Sequence, residues 1–343
     1  MLTAIIIIIF LSVLILVHEL GHFLLSKKFG VFVKEFGMGL PPGIFKKKVG
    51  ETVYSINALP IGGFVNIAGE NGEEDEGNEI PKHRLFYNIK IWKRFLIIAG
   101  GVIMNFILGW FLISIIFMVG IPKSVVVSQI QPGTPAEQAG LQPNDQIRGF
   151  NTATDVVNFI NQNKGKEITL NVQRDGKEVA VKATPRLNPP QNEGSLGIAL
   201  VDAGQDKEGV FKAIYDGLRA SWGIFSTIFV GIFTLIKMAI LGKASLNDVA
   251  GPVGIVKITA QASHMGFIYL MQLLALISIN LAALNIFPFP ALDGGRLLFL
   301  IIEKFKGSPL PKRFEQYANV AGMVLLLALM AIITVKDVWQ LFR

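Results

Sequence analysis

The stretch "ILVHELGHFLL", starting at Ile15, puts two histidines and a glutamate directly after the apolar run "LTAIIIIIFLSVLILV". His18 and His22 are four residues apart, so on a helix both imidazoles project from one face, about one turn from each other. That spacing suits two nitrogen ligands on one zinc ion. Glu19, next to His18, stands where a general base reaches the metal's water without ligating the metal. A five-residue pattern can arise by chance, but ionisable groups at the end of an apolar helix are expensive and mark function.

Zinc needs a third protein ligand and an open position. The chain has no cysteine and only four histidines, His18, His22, His83 and His264. Disulfides, thiolate ligands and a cysteine nucleophile are therefore excluded. His83 in "PKHRLF" and His264 in "QASHMG" read as surface histidines, and Glu303 in "IIEKFKG" as a charged helix end. Asp293, in "NLAALNIFPFPALDGGRL", comes at the end of an apolar segment that shares its charge flank with the first. It is the expected third ligand. The acidic loop "AGENGEEDEGNE", with Glu70, Glu73, Glu74, Asp75 and Glu76, lacks the spacing of a calcium loop and reads as a solvated run.

The elements that must position these residues are membrane helices. The 343-residue chain is 51% hydrophobic and 17% charged, with a mean hydropathy of +0.51, too apolar for an ordinary soluble enzyme. Its net charge of +7 is concentrated beside apolar runs ("SKKFG", "FKKKVG", "IWKRF", "PKRF"), which indicates topology rather than a nucleic-acid surface. Four segments satisfy the roughly 20 residues needed to cross a bilayer: 2–25, 95–119, 269–287 and 317–335. The positive-inside rule puts Lys27, Lys28, Lys90, Lys93, Arg94 and the Arg296 to Arg313 region in the cytoplasm, and both termini outside. The first segment lacks a basic leader and is expected to be retained. A fifth apolar stretch, 220–242, would reverse the third span and separate Asp293 from the histidines. Lys212, Asp216, Arg219, Ser226, Thr227, Thr234 and Lys237 gather on one side of it, which predicts an amphipathic helix in the interface.

Between the second and third spans, 124–185 alternates like short strands around one helical segment, "ATDVVNFINQN". "VSQIQPGTPAEQAGLQPNDQI" followed by "LNVQRDGKEVAVKATP" resembles a PDZ domain of the bacterial protease type, with "PND" where a Gly-Asp pair is commoner. The fold class is thus a polytopic α-helical membrane protein: four spans, an inserted extracytoplasmic PDZ-like β-rich domain and an interfacial helix. The expected parts are 1–120 (first two spans and cytoplasmic loop), 121–187 (PDZ-like), 188–267 (linker and interfacial helix) and 268–343 (last two spans). "TVYSINALPIGGFVNI" predicts a hairpin punctuated by Pro-Gly-Gly, either a plain cytoplasmic hairpin or one that dips into the membrane and takes up a substrate strand at Gly62 and Gly63, the version that the family resemblance given next implies.

Taken together, "HELGH", "PIGGFV", "GPVGI", "NLAALNIFPFPALDGG" and the PDZ-like insert resemble the site-2 protease family of intramembrane zinc metalloproteases, in its bacterial regulator-of-sigma-factor branch, peptidase family M50. The resemblance implies His18, His22 and Asp293 as Zn2+ ligands and Glu19 as catalytic base. It implies that Asn280, Asn285, Pro288 and Pro290 shape the active-site end of the third span and hold substrate. The expected activity is hydrolysis of single-span membrane proteins, such as pre-trimmed anti-sigma factors or signal-peptide remnants. The site would lie near the cytoplasmic side of a bacterial inner membrane, with peptide ends as possible partners of the PDZ-like domain. One departure is Val102 in "AGGVIMNF", where the branch often has proline. The alternatives are a membrane-tethered scaffold with structural zinc, which needs no base at Glu19, and a zinc transporter, which would want more polar spans.

Overall fold

The computed structural model describes residues 2–70, 80–174, 176–190, 193–243 and 251–341. The acidic run Glu73, Glu74, Asp75 and Glu76 lies outside them. The chain divides into two compact units, one of 1–113, 214–260 and 270–343, the other of 114–213 and 261–269.

The first unit holds the metal-ligand candidates. It opens with α1 (Leu2–Lys28), then β1 (Val33–Val49) and β2 (Thr52–Ile67), then α2 (Ile91–Val119). Helices α1 and α2 touch backbone to backbone. A Cβ on Gly21 would lie 2.1 Å from Gly100 O, and one on Gly100 would lie 2.6 Å from Gly21 O. Small residues are what permit such an approach between apolar helices, where lipid offers no hydrophobic drive to associate.

The β1–β2 sheet differs from the expected hairpin. One tight turn is at Gly50 and Glu51, with Val49 opposite Thr52 and Phe45 opposite Ile56; β2 itself reverses between Ile56 and Gly63, through the expected Pro-Gly-Gly, so that its two arms run in opposite directions. Glu35 to Met38 faces Asn66 to Gly63 and also Val53 to Ile56, so the start of β1 is covered on both edges by β2. The strand propensity of "TVYSIN" and "FVNI" was legible. The placing of β1 between the two arms of β2 was not, because the local Gly-Gly signal announces a turn without saying what the arms pair with. Glu51 anchors the turn to α1 and to a neighbouring loop: it accepts from Lys27 Nζ at 2.6 Å and from Arg84 Nη1 and Nη2 at 2.7 and 2.8 Å.

After the second unit come α5 (Val210–Ile240), α6 (Pro252–Met265), α7 (Phe267–Asn285), α8 (Asp293–Lys306) and α9 (Lys312–Leu341). Helix α7 buries small residues, Ala275, Ser278, Ala282 and Ala283, and Ser278 Oγ donates to Asn105 O of α2 at 2.7 Å. The "GPVG" segment at the start of α6 is capped from far away: Asp337 Oδ2 on α9 accepts from Gly251 N and Gly254 N, each at 2.9 Å. These are the orphan donors that every helix start leaves.

Among the described residues five helices are long and apolar enough to cross a membrane: 5–28, 91–119, 210–240, 267–285 and 313–340. The third of these is α5, expected in the interface. It packs aromatics on one side, Trp222 and Phe225 against Phe106, and Phe229 and Phe233 against Phe287.

The second unit is the β-rich insert, a five-stranded sheet in the order β6-β5-β4-β3-β7. Its strands are β3 (Ile121–Ile130), β4 (Gln146–Ile147), β5 (Ile168–Arg174), β6 (Lys177–Ala183) and β7 (Ile198–Gln205). Two helices accompany it, α3 (Pro135–Gln138) and α4 (Ala153–Gln162). Strand β7 pairs antiparallel along β3, so the sheet draws an edge strand from the stretch expected to be linker after 187. "GIALVDAGQ" alternates too weakly to announce itself. The core gathers Val125, Val127, Ile147, Val156, Leu170 and Val172. Asn144 of "PND" takes φ 73, the left-handed conformation that asparagine tolerates best after glycine, which explains how that departure is accommodated. Thr152 and Asp155 cap α4 reciprocally.

Candidate metal centre

The two histidines lie a turn apart on α1, and the carboxylate reaches them from the first residue of α8. His18 Nε2 is 3.1 Å and His22 Nε2 3.5 Å from Asp293 Oδ2, and the two Nε2 atoms are 3.2 Å apart. Among the described residues this is the one cluster of three or more His, Asp or Glu side chains with converging ligand atoms. Two observations fit a divalent zinc ion there. Asp293 Oδ2 is buried with no hydrogen-bond partner. His22 Nδ1 donates to Ile97 O at 2.8 Å, which leaves its Nε2 as the lone-pair atom, as a metal ligand requires.

Sequence explains why these groups meet. Helical periodicity aligns His18 with His22. Gly101 on α2 lies flat beneath both rings: a Cβ there would be 2.5 Å from His18 Cε1 and His22 Nε2. The "LDGG" glycines do similar work for Asp293, since a Cβ on Gly294 would stand 2.1 Å from Phe287 O and one on Gly295 2.3 Å from Phe289 O. Helix α8 can therefore start folded back against the loop that precedes it. In that loop Ala291 has φ 76, a conformation costing a non-glycine residue roughly 1–2 kcal/mol. Asn319 Oδ1 of α9 accepts from Ala291 N at 3.1 Å and secures it.

A cavity of about 240 Å3 opens on the cluster, lined by His18, Glu19, His22, Phe64, Val65, Glu70, Asp293 and Arg296. Glu19 thus faces the same space as the three candidate ligands. Gly63 is next to it, with Glu19 Cγ and Ile15 Cγ2 each 3.5 Å from where its Cβ would be. Gly62 precedes it at φ 97. Asn280 is exposed on α7 and Asn285 ends that helix; Pro288 and Pro290 follow in the loop to Asp293. None of these four is among the residues lining the cavity.

Three residues were read differently from sequence. Glu70, grouped with the solvated acidic run, is paired with Arg296, itself taken only as a charge flank. Arg296 follows Asp293 by three residues on α8, a spacing that could have pointed to the cavity. Glu303, read as an ordinary helix end, is buried and paired with Arg94 at 2.8 Å. His83 lies in an exposed turn, as expected.

Comparison with known proteins gives the family. The model of peptidase family M50 matches residues 6–329, and the chain belongs to that family. It is 31% identical to the regulator of sigma-W protease RasP of Bacillus subtilis, over 99% of both chains. It is 31% identical to the zinc metalloprotease RasP of Bacillus licheniformis, again over 99% of both. Identity to the zinc metalloprotease RasP of Geobacillus kaustophilus is 30%, over 96% of each chain. The protein is a membrane zinc metalloendopeptidase, with Zn2+ as its cofactor.

Proposed function

We propose that the chain hydrolyses peptide bonds within or beside the transmembrane segment of single-span membrane proteins, with His18, His22 and Asp293 as zinc ligands and Glu19 as general base. The observation that carries this is the convergence of three ligand atoms in one cavity with Glu19. Bound zinc supplies Lewis-acid chemistry, acidifying a water and polarising a carbonyl. Glu19 accepts the proton of the attacking water as its oxygen bonds to the carbonyl carbon. The same carboxyl then returns that proton to the amine as the C–N bond breaks. Ile97 O holds the His22 ring through both steps.

A transmembrane substrate arrives helical and must unwind, and its released backbone groups need partners, since lipid offers none. The stretch of β2 from Gly63 to Val65, beside Glu19, is suited to receive an extended substrate as an added strand. Gly62 and Gly63 leave room for it, while Asn280, Asn285, Pro288 and Pro290 guide the chain on the α7 side. The name of the Bacillus subtilis relative, a regulator of sigma-W, supports pre-trimmed anti-sigma factors as substrates, with signal-peptide remnants as a second class. In this reading four helices cross a bacterial inner membrane, α5 lies in its interface, and both termini and the insert are extracytoplasmic. The insert, 121–187 with β7 added, acts as a PDZ-like module that filters substrates by size or reads their new ends.

The test is zinc content together with cleavage of a single-span substrate in proteoliposomes, for wild type and Glu19→Gln. The variant should keep its zinc and lose about 10²- to 10⁴-fold in rate, the usual worth of a general base. A Gln variant that cuts as fast as wild type overturns the proposal.

A further inference from the structure

The histidine-bearing face of α1 meets a matching stripe on α2. Ile97, Gly101 and Asn105 are spaced four apart and so share one helix face. Ile97 O takes the Nδ1 proton of His22, Gly101 lies under both rings, and Asn105 reaches His18. We infer that Asn105 is a positioning residue for the metal: its side-chain oxygen accepts from His18 Nδ1–H and thereby aims Nε2 into the cluster. The inference rests on the ligand assignment proposed above.

Three observations support it. Asn105 is fully buried, at 0% exposure, where a polar side chain without a purpose is costly. Its Nδ2 is 3.3 Å from His18 Nδ1, while its Oδ1 is buried without a partner. A half-turn about the Cβ–Cγ bond exchanges two groups of nearly equal size. It gives the orphan oxygen a donor and His18 an acceptor in one movement. Metal ligation demands this arrangement, because a histidine bound through Nε2 carries its proton on Nδ1 and needs somewhere to direct it. The backbone at this point is also held, since Asn105 O accepts from Ser278 Oγ. The two imidazoles then have equivalent supports a helical distance apart, a carbonyl at Ile97 for His22 and an amide at Asn105 for His18. Nothing in "GGVIMNF" read alone distinguishes this asparagine from one that merely packs between helices.

The test uses the purified full-length chain in detergent, loaded with zinc, and follows metal release to an excess of chelator. Asn105→Leu keeps the bulk and removes the acceptor; it should release zinc about 10- to 100-fold faster, the usual cost of losing an outer-shell partner. Asn105→Asp retains an acceptor and should restore release to near the wild-type rate. With cobalt in place of zinc, the visible ligand-field bands should shift in the Leu variant and not in the Asp variant. Equal zinc retention by Leu and wild type, or equal loss by Leu and Asp, overturns the inference. His18→Ala and Asp293→Ala tell the two readings apart: if both keep zinc, the ligand assignment fails, and if both lose it while Asn105→Leu does not, the positioning role alone fails.

Discussion

His18 and His22 stand within an unbroken helix, toward its C-terminal end, whereas Asp293 begins one, after a loop in which Ala291 is forced to a positive φ. The first half of the centre is set by local periodicity and by one helix, α2, pressing on it through Gly100 and Gly101. The second half is set by contacts remote in sequence: loop carbonyls packed on Gly294 and Gly295, and Asn319 of α9 holding Ala291. A ligand pair on a regular element needs a flat neighbour. A single ligand on an irregular loop needs several distant restraints, and each is a separate point of failure.

The largest effect should come from the loop half. Gly294→Ala drives a Cβ into the backbone oxygens of Phe287 and Ile286, neither of which can rotate away. Overpacking of this kind costs about 1–3 kcal/mol and at times more, so thermal unfolding in detergent should show a clear loss and zinc content should fall with it. A variant as stable and zinc-replete as wild type would mean that the loop is not built on this contact. Gly101→Ala separates metal from fold. Helix propensity favours alanine by roughly 1 kcal/mol, yet the new methyl meets both imidazoles. Global stability should change little while zinc affinity falls about 10- to 100-fold, as for other displaced supports of metal ligands, measured by competition with a chelator.

Asn319→Ala removes the acceptor for Ala291 N. The expected cost is about 1–2 kcal/mol for a stranded donor, appearing as a lower turnover number with the histidine pair intact. Unchanged turnover would place the restraint on Ala291 elsewhere. The smallest effect belongs to the far end of α1. Hydrogen bonds from Arg84, then from Lys27, hold the Glu51 carboxyl down at about 2, from an ordinary value of 4.5. The stability this gives is complete above 4.5 and is lost as pH falls toward about 2. Glu51→Gln should flatten the acid side of the stability profile over that window and cost less than about 1 kcal/mol at neutral pH, as half-exposed ion pairs do. An acid limb identical to wild type would exclude this pair as its source.

The histidine half was readable in the sequence because its geometry is local: a spacing of four on an apolar helix needs no tertiary information. Asp293 was reachable by elimination, given no cysteine and few histidines, and the alternation of the insert declared its sheet. What could not be read depends on tertiary contact. Glu70 and Arg296 look like solvated charges until the fold pairs them across more than two hundred residues. The Pro-Gly-Gly of β2 reads as the turn of a simple hairpin, and nothing local shows that β1 lies between the two arms it joins. Asn105 carries no local mark, since its partner is a ring nitrogen on another helix. Amphipathic α5 met the length and apolarity of a span as readily as those of an interfacial helix, because both place apolar residues at similar density.

Helix α9 carries Asn319 near one end and Asp337 near the other. Eighteen residues of helix span about 27 Å, close to the thickness of a bilayer's hydrocarbon core. The polypeptide from Gly251 to Ala291 is tied to α9 at both of its ends, so α9 serves as a splint whose length sets the distance those ends must cover. A residue inserted anywhere between the two anchors would turn one of them by about 100° relative to the other, and Asp293 would be mis-set by a change made at the far end of α9.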